Sequence, residues 1–200
     1  MKLTTVWRQG LIGLGVLSLL AAGGNAGAQT MSQDRREIRR DRMDVRSDHR
    51  EVSRLSRLIA RLDRAQERND RLQERSLRNS IREMLRQEIV EARRELRRDQ
   101  REQYRSARDA RSGRGDVDAR RDVRDDRRDT MESRRRLERL TGIQVRLRQI
   151  EPGLRAHDRG AMREEDRLLA SFLRVARQDA VSSGRELNED RRELRQDRAF

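Results

Sequence analysis

Residues 77–96 read LRNSIREMLRQEIVEARREL. Leu77, Ile81, Leu85, Ile89, Ala92 and Leu96 advance by three or four positions, with Met84 beside them. That spacing follows the 3.6-residue turn of an α-helix and gathers the apolar side chains into one narrow stripe. Most of what lies between them is arginine, glutamate and glutamine, which suits water. A stripe of this kind has to be covered, so the segment predicts helix packed on helix. Leu77, Ile81, Met84, Leu85 and Ile89 are the expected packing set or, alternatively, an apolar face offered to a client protein.

Around this segment, no proline or glycine interrupts the chain from Asp34 to Asp109, and the residue types there are helix formers. Upstream, Leu55, Leu58, Ile59 and Leu62 form a second stripe that weakens towards Leu72, with Asn69-Asp70 as an interruption. Downstream, Ser112-Gly113-Arg114-Gly115 supplies a linker. Residues 118–128 carry only Ala119 and Val123 as apolar side chains, which reads as either a fully exposed helix or a disordered segment. A stripe returns at Leu137, Leu140, Ile143, Leu147 and Ile150, and Pro152-Gly153 should end it. Asp158 is placed to cap a following helix with Met162, Leu169, Phe172, Ala176 and Ala180 on one face. Ser182-Ser183-Gly184 should close that helix, leaving Leu187 and Leu194 in a last, weakly amphipathic one.

The expected fold is therefore all-α: long amphipathic helices in antiparallel hairpins, partly coiled-coil-like, with disordered or fraying charged segments. The expected divisions are a signal segment at 1–28, a helical half at 29–111, a linker at 112–118 and a second helical half at 119–200. The stripes look too narrow for a self-sufficient monomer, so a homodimer is expected.

The first residues have the layout of an export signal. Lys2 and Arg8 precede the apolar run Leu11 to Ala22, and Ala26-Gly27-Ala28 is a small-residue site predicting cleavage between Ala28 and Gln29. The run is short and glycine-rich for a membrane span, and the chain beyond Gln29 is too polar to enter a bilayer. The reading is a soluble periplasmic protein with no membrane span after cleavage. There is no cysteine, so packing rather than disulfides must hold any fold together.

The chain is 43% charged and 2% aromatic, with a formal net charge of +14. Every positive side chain after Arg8 is arginine. Guanidinium groups make bidentate contacts with phosphate and carboxylate, which equips the chain for anionic envelope polymers such as lipopolysaccharide. Nucleic acid is disfavoured, because few aromatic side chains are available for base stacking. Acid and base are interleaved along the sequence. Glu67 with Arg71, Glu74 with Arg78 and Glu132 with Arg136 stand four apart, and Glu164 with Arg167 three apart, the spacings of helix-surface ion pairs.

One pentapeptide stands out: Leu140-Thr141-Gly142-Ile143-Gln144. Thr141 can cap a helix start while Gln144 reaches back to it, and Asp63 with Gln66 can do the same after Leu62. Here the chain resembles the LTxxQ-motif family of periplasmic proteins, which includes the spheroplast-protein and envelope-stress adaptor chaperones and, more distantly, heavy-metal-responsive proteins. Its second copy, Leu62-Asp63-Arg64-Ala65-Gln66, has aspartate in place of threonine. The resemblance implies long antiparallel helices, dimerisation into a curved basic cradle and ATP-independent protection of unfolded envelope proteins. It also keeps a metal-responsive role open.

For metal itself, His157 and Asp158, with Glu164 or Glu165, are weak candidates, and no spacing among them is that of a metal-ligand motif. No cofactor is expected. Arg114-Gly115-Asp116 spells an adhesion tripeptide in a chain rich in both charged types. An enzyme is not expected: there is no thiol, no glycine-rich phosphate loop and no broad apolar framework to hold a catalytic constellation.

Overall fold

A computed structural model describes residues 26–111 and 117–197, and those residues fold as five helices. They are α1 (Ala26–Glu67), α2 (Arg71–Arg111), α3 (Val117–Gln149), α4 (Glu151–Arg155) and α5 (Arg159–Asp197). No strand occurs among the described residues, and no helix among them is long and apolar enough to cross a membrane. The apolar run at 11–22 and most of the 112–118 linker with its Arg114-Gly115-Asp116 lie outside the described residues. The charged run after Val117 is helical.

The chain divides into two units, Arg54–Val175 and a second made of Met1–Ser53 with Ala176–Phe200. In the first, α2 and α3 pack along each other as an antiparallel pair. Arg82 near the start of α2 reaches Glu151 just past the end of α3 at 3.3 Å, while Ser133 farther up α3 reaches Asp99 at 2.5 Å. The core holds the α2 stripe together with Leu55, Leu62, Leu140, Ile143, Leu147, Leu169 and Phe172. Leu77, Ile81, Met84, Leu85 and Ile89 are each no more than 7% exposed, so the chain covers this stripe itself and the stripe needs no second copy to bury it.

Two tight corners of the same construction join the helices. At the first, Asn69 adopts φ 54° and the Asp70 amide donates to the Ala65 carbonyl at 2.9 Å. The Asp70 side chain then accepts from the Gln73 amide at 3.0 Å and caps α2. At the second, His157 adopts φ 54°, the Asp158 amide donates to the Gly153 carbonyl at 2.9 Å, and Asp158 caps α5 through the Ala161 amide at 2.8 Å. Left-handed backbone after a helix end usually takes glycine, and Asn and His are among the few side chains that tolerate it.

Three boundaries differ from the sequence reading. Thr141 lies well inside α3 and Asp63 inside α1, so neither capping box forms. Leu140, Ile143 and Leu147 are all buried along one uninterrupted stripe, and that burial carries the helix through. Ser182-Ser183-Gly184 likewise sits inside α5, where the Ser183 hydroxyl donates back to the Asp179 carbonyl at 3.2 Å. In the second unit Ala180 and Leu187 are buried and Val45 and Val52 half-buried, each pair seven residues apart, a heptad spacing.

Pro152 stands in the first turn of α4, where its missing N–H costs little. The reversal itself comes a few residues later, where Gly153 allows close approach: a Cβ there would stand 2.8 Å from the Ala161 Cβ, whereas Gly142 has open space around it. Gly142→Ala should therefore stabilise the protein by about 0.5–1 kcal/mol through helix propensity. Gly153→Ala should lower the melting temperature, because the α5 start must move aside. Thermal melts of the two variants read the contrast directly.

Candidate functional site

An acid in phase with an apolar stripe ends up inside. Glu74 precedes Leu77 by three and Glu165 precedes Leu169 by four, and both glutamates are 2% exposed. Arg78 joins them. Its Nε donates to both Glu165 oxygens at 2.9 and 3.0 Å and its Nη1 to Glu74 at 2.9 Å, while Gln66 of α1 donates to Glu165 at 3.3 Å. Burial raises the Glu165 carboxyl above the ordinary glutamate range although Arg78 pulls the other way. Burial works against the charge on Arg78, but the two carboxylates outweigh it and hold that guanidinium above its ordinary value. Arg78 Nη2 is buried without a hydrogen-bond partner. The cluster ties α1, α2 and α5 together, which is a structural task.

A second ionic group joins α2 and α3: Arg136 pairs with Glu88 at 3.2 Å and with Glu95. Arg136 thus bonds across the hairpin, rather than with Glu132 as the sequence spacing predicts. Glu67 and Arg71 fall on different helices, while Glu74 with Arg78 and Glu164 with Arg167 do pair. Farther along the same seam lie Asp99 and Glu102 of α2 with Asp126 and Asp129 of α3. The Glu102 carboxyl is raised by partial burial, then by Asp99 and Asp126, with Arg98 and Arg105 opposing. Asp129 is raised by partial burial and by Asp99, Asp126, Asp125 and Glu132.

A carboxyl raised in the folded state favours folding while protonated, and that contribution is lost as pH rises through the raised value. Glu102→Gln with Asp129→Asn should therefore gain stability over the parent. The gain should be absent below about pH 4 and grow towards neutrality. Melting temperatures of both proteins across that range test this; a difference constant with pH would count against mutual repulsion at the seam.

The seam draws in Glu88, Glu95, Asp99, Glu102 and Asp126 and leaves most of the arginines outside, so charge that is interleaved along the sequence is partly sorted in space. Among the described side chains of α2 and α3, 19 arginines are exposed against seven acids, which makes the outer surface of this hairpin strongly positive. Arg75, Arg93 and Arg97 are exposed and make no ion pair with any described residue. This outward arginine surface is the candidate site; guanidinium groups exposed in this way are able to make charge-assisted contacts with anions.

The other residues singled out by sequence take structural places. Leu140 is buried and Thr141 and Gln144 are half-buried on α3; Leu62 is buried and Gln66 joins the Glu165 cluster. Asp63 is exposed on α1, with its carboxyl raised by partial burial, Asp166 and Glu67. His157 forms a corner and Asp158 is committed to capping. No three histidine, aspartate or glutamate side chains among the described residues gather into a group able to hold a metal ion. Comparison with protein-family models, with curated proteins and with solved structures finds no match for this chain.

Proposed function

We propose that this is an exported periplasmic protein whose arginine surface binds phosphate-rich polyanions of the envelope, lipopolysaccharide foremost. The supporting observation is the excess of exposed charge: exposed arginines outnumber exposed acids on the α2–α3 hairpin by 19 to seven, and five carboxylates are drawn into its seam. Leu77, Ile81, Met84, Leu85 and Ile89 are buried, so this set offers no apolar face to a client. Binding would then be governed by counterion release and fall with salt.

The test is binding of the purified chain to lipopolysaccharide over a salt series. A contact neutralising about six phosphates should weaken about a thousandfold between about 50 and about 200 mM salt. No binding at low salt, or an affinity indifferent to salt, overturns the reading. Suppression of client aggregation that persists in high salt would instead favour the ATP-independent chaperone role that the LTxxQ resemblance implies.

A further inference from the structure

The outward side of α2 is more particular than a general positive surface. α2 is an unbroken helix of 41 residues, about 60 Å long. Pairs of arginines four apart recur along it every 11 residues: Arg71 and Arg75, Arg82 and Arg86, Arg93 and Arg97. Eleven residues are close to three whole turns, so the pairs stay on one side and repeat about every 16 Å. Arg75, Arg86, Arg93, Arg97 and Arg101 fall within an arc of about 80° opposite the buried Ile81. The acid on that arc is Glu83, which pairs with Arg86 at 3.2 Å with both side chains more than half exposed.

Three exposed side chains of a different character share the arc. Leu72 is 84%, Tyr104 73% and Val90 46% exposed, spread along the helix rather than gathered in a patch. A soluble phosphate polymer gains nothing from them. The headgroup layer of a bilayer does, since it accepts tyrosine and single apolar side chains beside phosphates. The main apolar stripe of α2 is committed to the core, so the helix cannot sink as an interfacial amphipathic helix does, and contact must stay shallow and electrostatic.

On this basis, and resting on the polyanion reading, we infer that α2 lies lengthwise on an anionic phospholipid surface. Arg75, Arg93 and Arg97 hold headgroup phosphates, and Val90 and Tyr104 sit among the headgroups. The chain has no cysteine, so a single introduced one takes a unique nitroxide label.

Labels at Val90→Cys, Tyr104→Cys and, on α3, Val145→Cys are compared in the full chain with and without vesicles of phosphatidylcholine and phosphatidylglycerol. Vesicles should cut collisions with an aqueous nickel complex several-fold at 90 and 104 and leave 145 unchanged. The triple variant Arg75→Gln, Arg93→Gln, Arg97→Gln should lose roughly a hundredfold in vesicle affinity, at about tenfold or less per arginine, with an unchanged melting temperature. The equal-charge control Arg124→Gln, Arg128→Gln, Arg135→Gln on α3 should lose far less.

Equal shielding at 145, or equal loss in the control, overturns the inference. Binding to soluble polyphosphate without binding to vesicles also overturns it while sparing the polyanion reading. If polyphosphate, vesicles and lipopolysaccharide are all left unbound, both fall.

Discussion

Replacing Arg78 with methionine should destabilise the unit Arg54–Val175 by about 3–5 kcal/mol, because it leaves two buried carboxylates without their cation. Glu74 and Glu165 are both 2% exposed, so water cannot take over from the guanidinium. For a domain stable by about 5–15 kcal/mol that is a large share. The defect should depend on pH. Glu165 already has a raised carboxyl, and without Arg78 it rises further, so protonation relieves the penalty as pH falls. The deficit, measured by denaturant unfolding, should be greatest near neutrality and shrink in acid. A pH-independent deficit would mean that Arg78 acts through its aliphatic stem. Converting Glu74 to leucine and Glu165 to methionine in the same protein should restore most of the loss, since a buried ion pair is commonly replaceable by packed apolar groups.

Phe172→Ala should cost about 3–5 kcal/mol, the range for removing a fully enclosed aromatic ring. Phe172 is 1% exposed and is the aromatic side chain buried among the described residues, in a core whose other apolar side chains are aliphatic or methionine. Tyr104→Ala, at a site 73% exposed, should move stability by no more than about 0.5 kcal/mol. Chemical denaturation of the two variants separates them. An equal cost at both positions would mean that the core is not organised around Phe172.

Much of the architecture is legible in periodicity. The α2 stripe from Leu77 to Ala92 is buried as its spacing predicts, Asn69-Asp70 does break the chain between helices, and Asp158 does cap α5. The capping reading of Leu140 to Gln144 fails for a specific reason. Thr followed three residues later by Gln is only a local pattern, and the burial of Leu140, Ile143 and Leu147 acts over a longer stretch than a cap can.

The sorting of charge is only partly legible in the sequence, because the apolar stripe shows which side of a helix faces in but not which acids of the two helices meet there. Arg78 with Glu165 is hidden because the partners stand 87 residues apart. A signal is nevertheless present. Glu74 and Glu165 each fall in register with an apolar stripe, and a carboxylate so placed has to find a cation somewhere in the fold.

The twin corners have a bearing on the order in which the chain folds. Each reverses direction within about three residues and is stabilised by hydrogen bonds spanning no more than five positions, so each can close early with little loss of chain entropy. The bonds from Gln66 and Arg78 to Glu165 instead join residues 99 and 87 positions apart. Contacts that distant carry a large loop-closure cost, so the closing of the two corners is expected to precede the docking of α5 through Glu165. Substitutions at Glu165 should then act mainly on the unfolding rate.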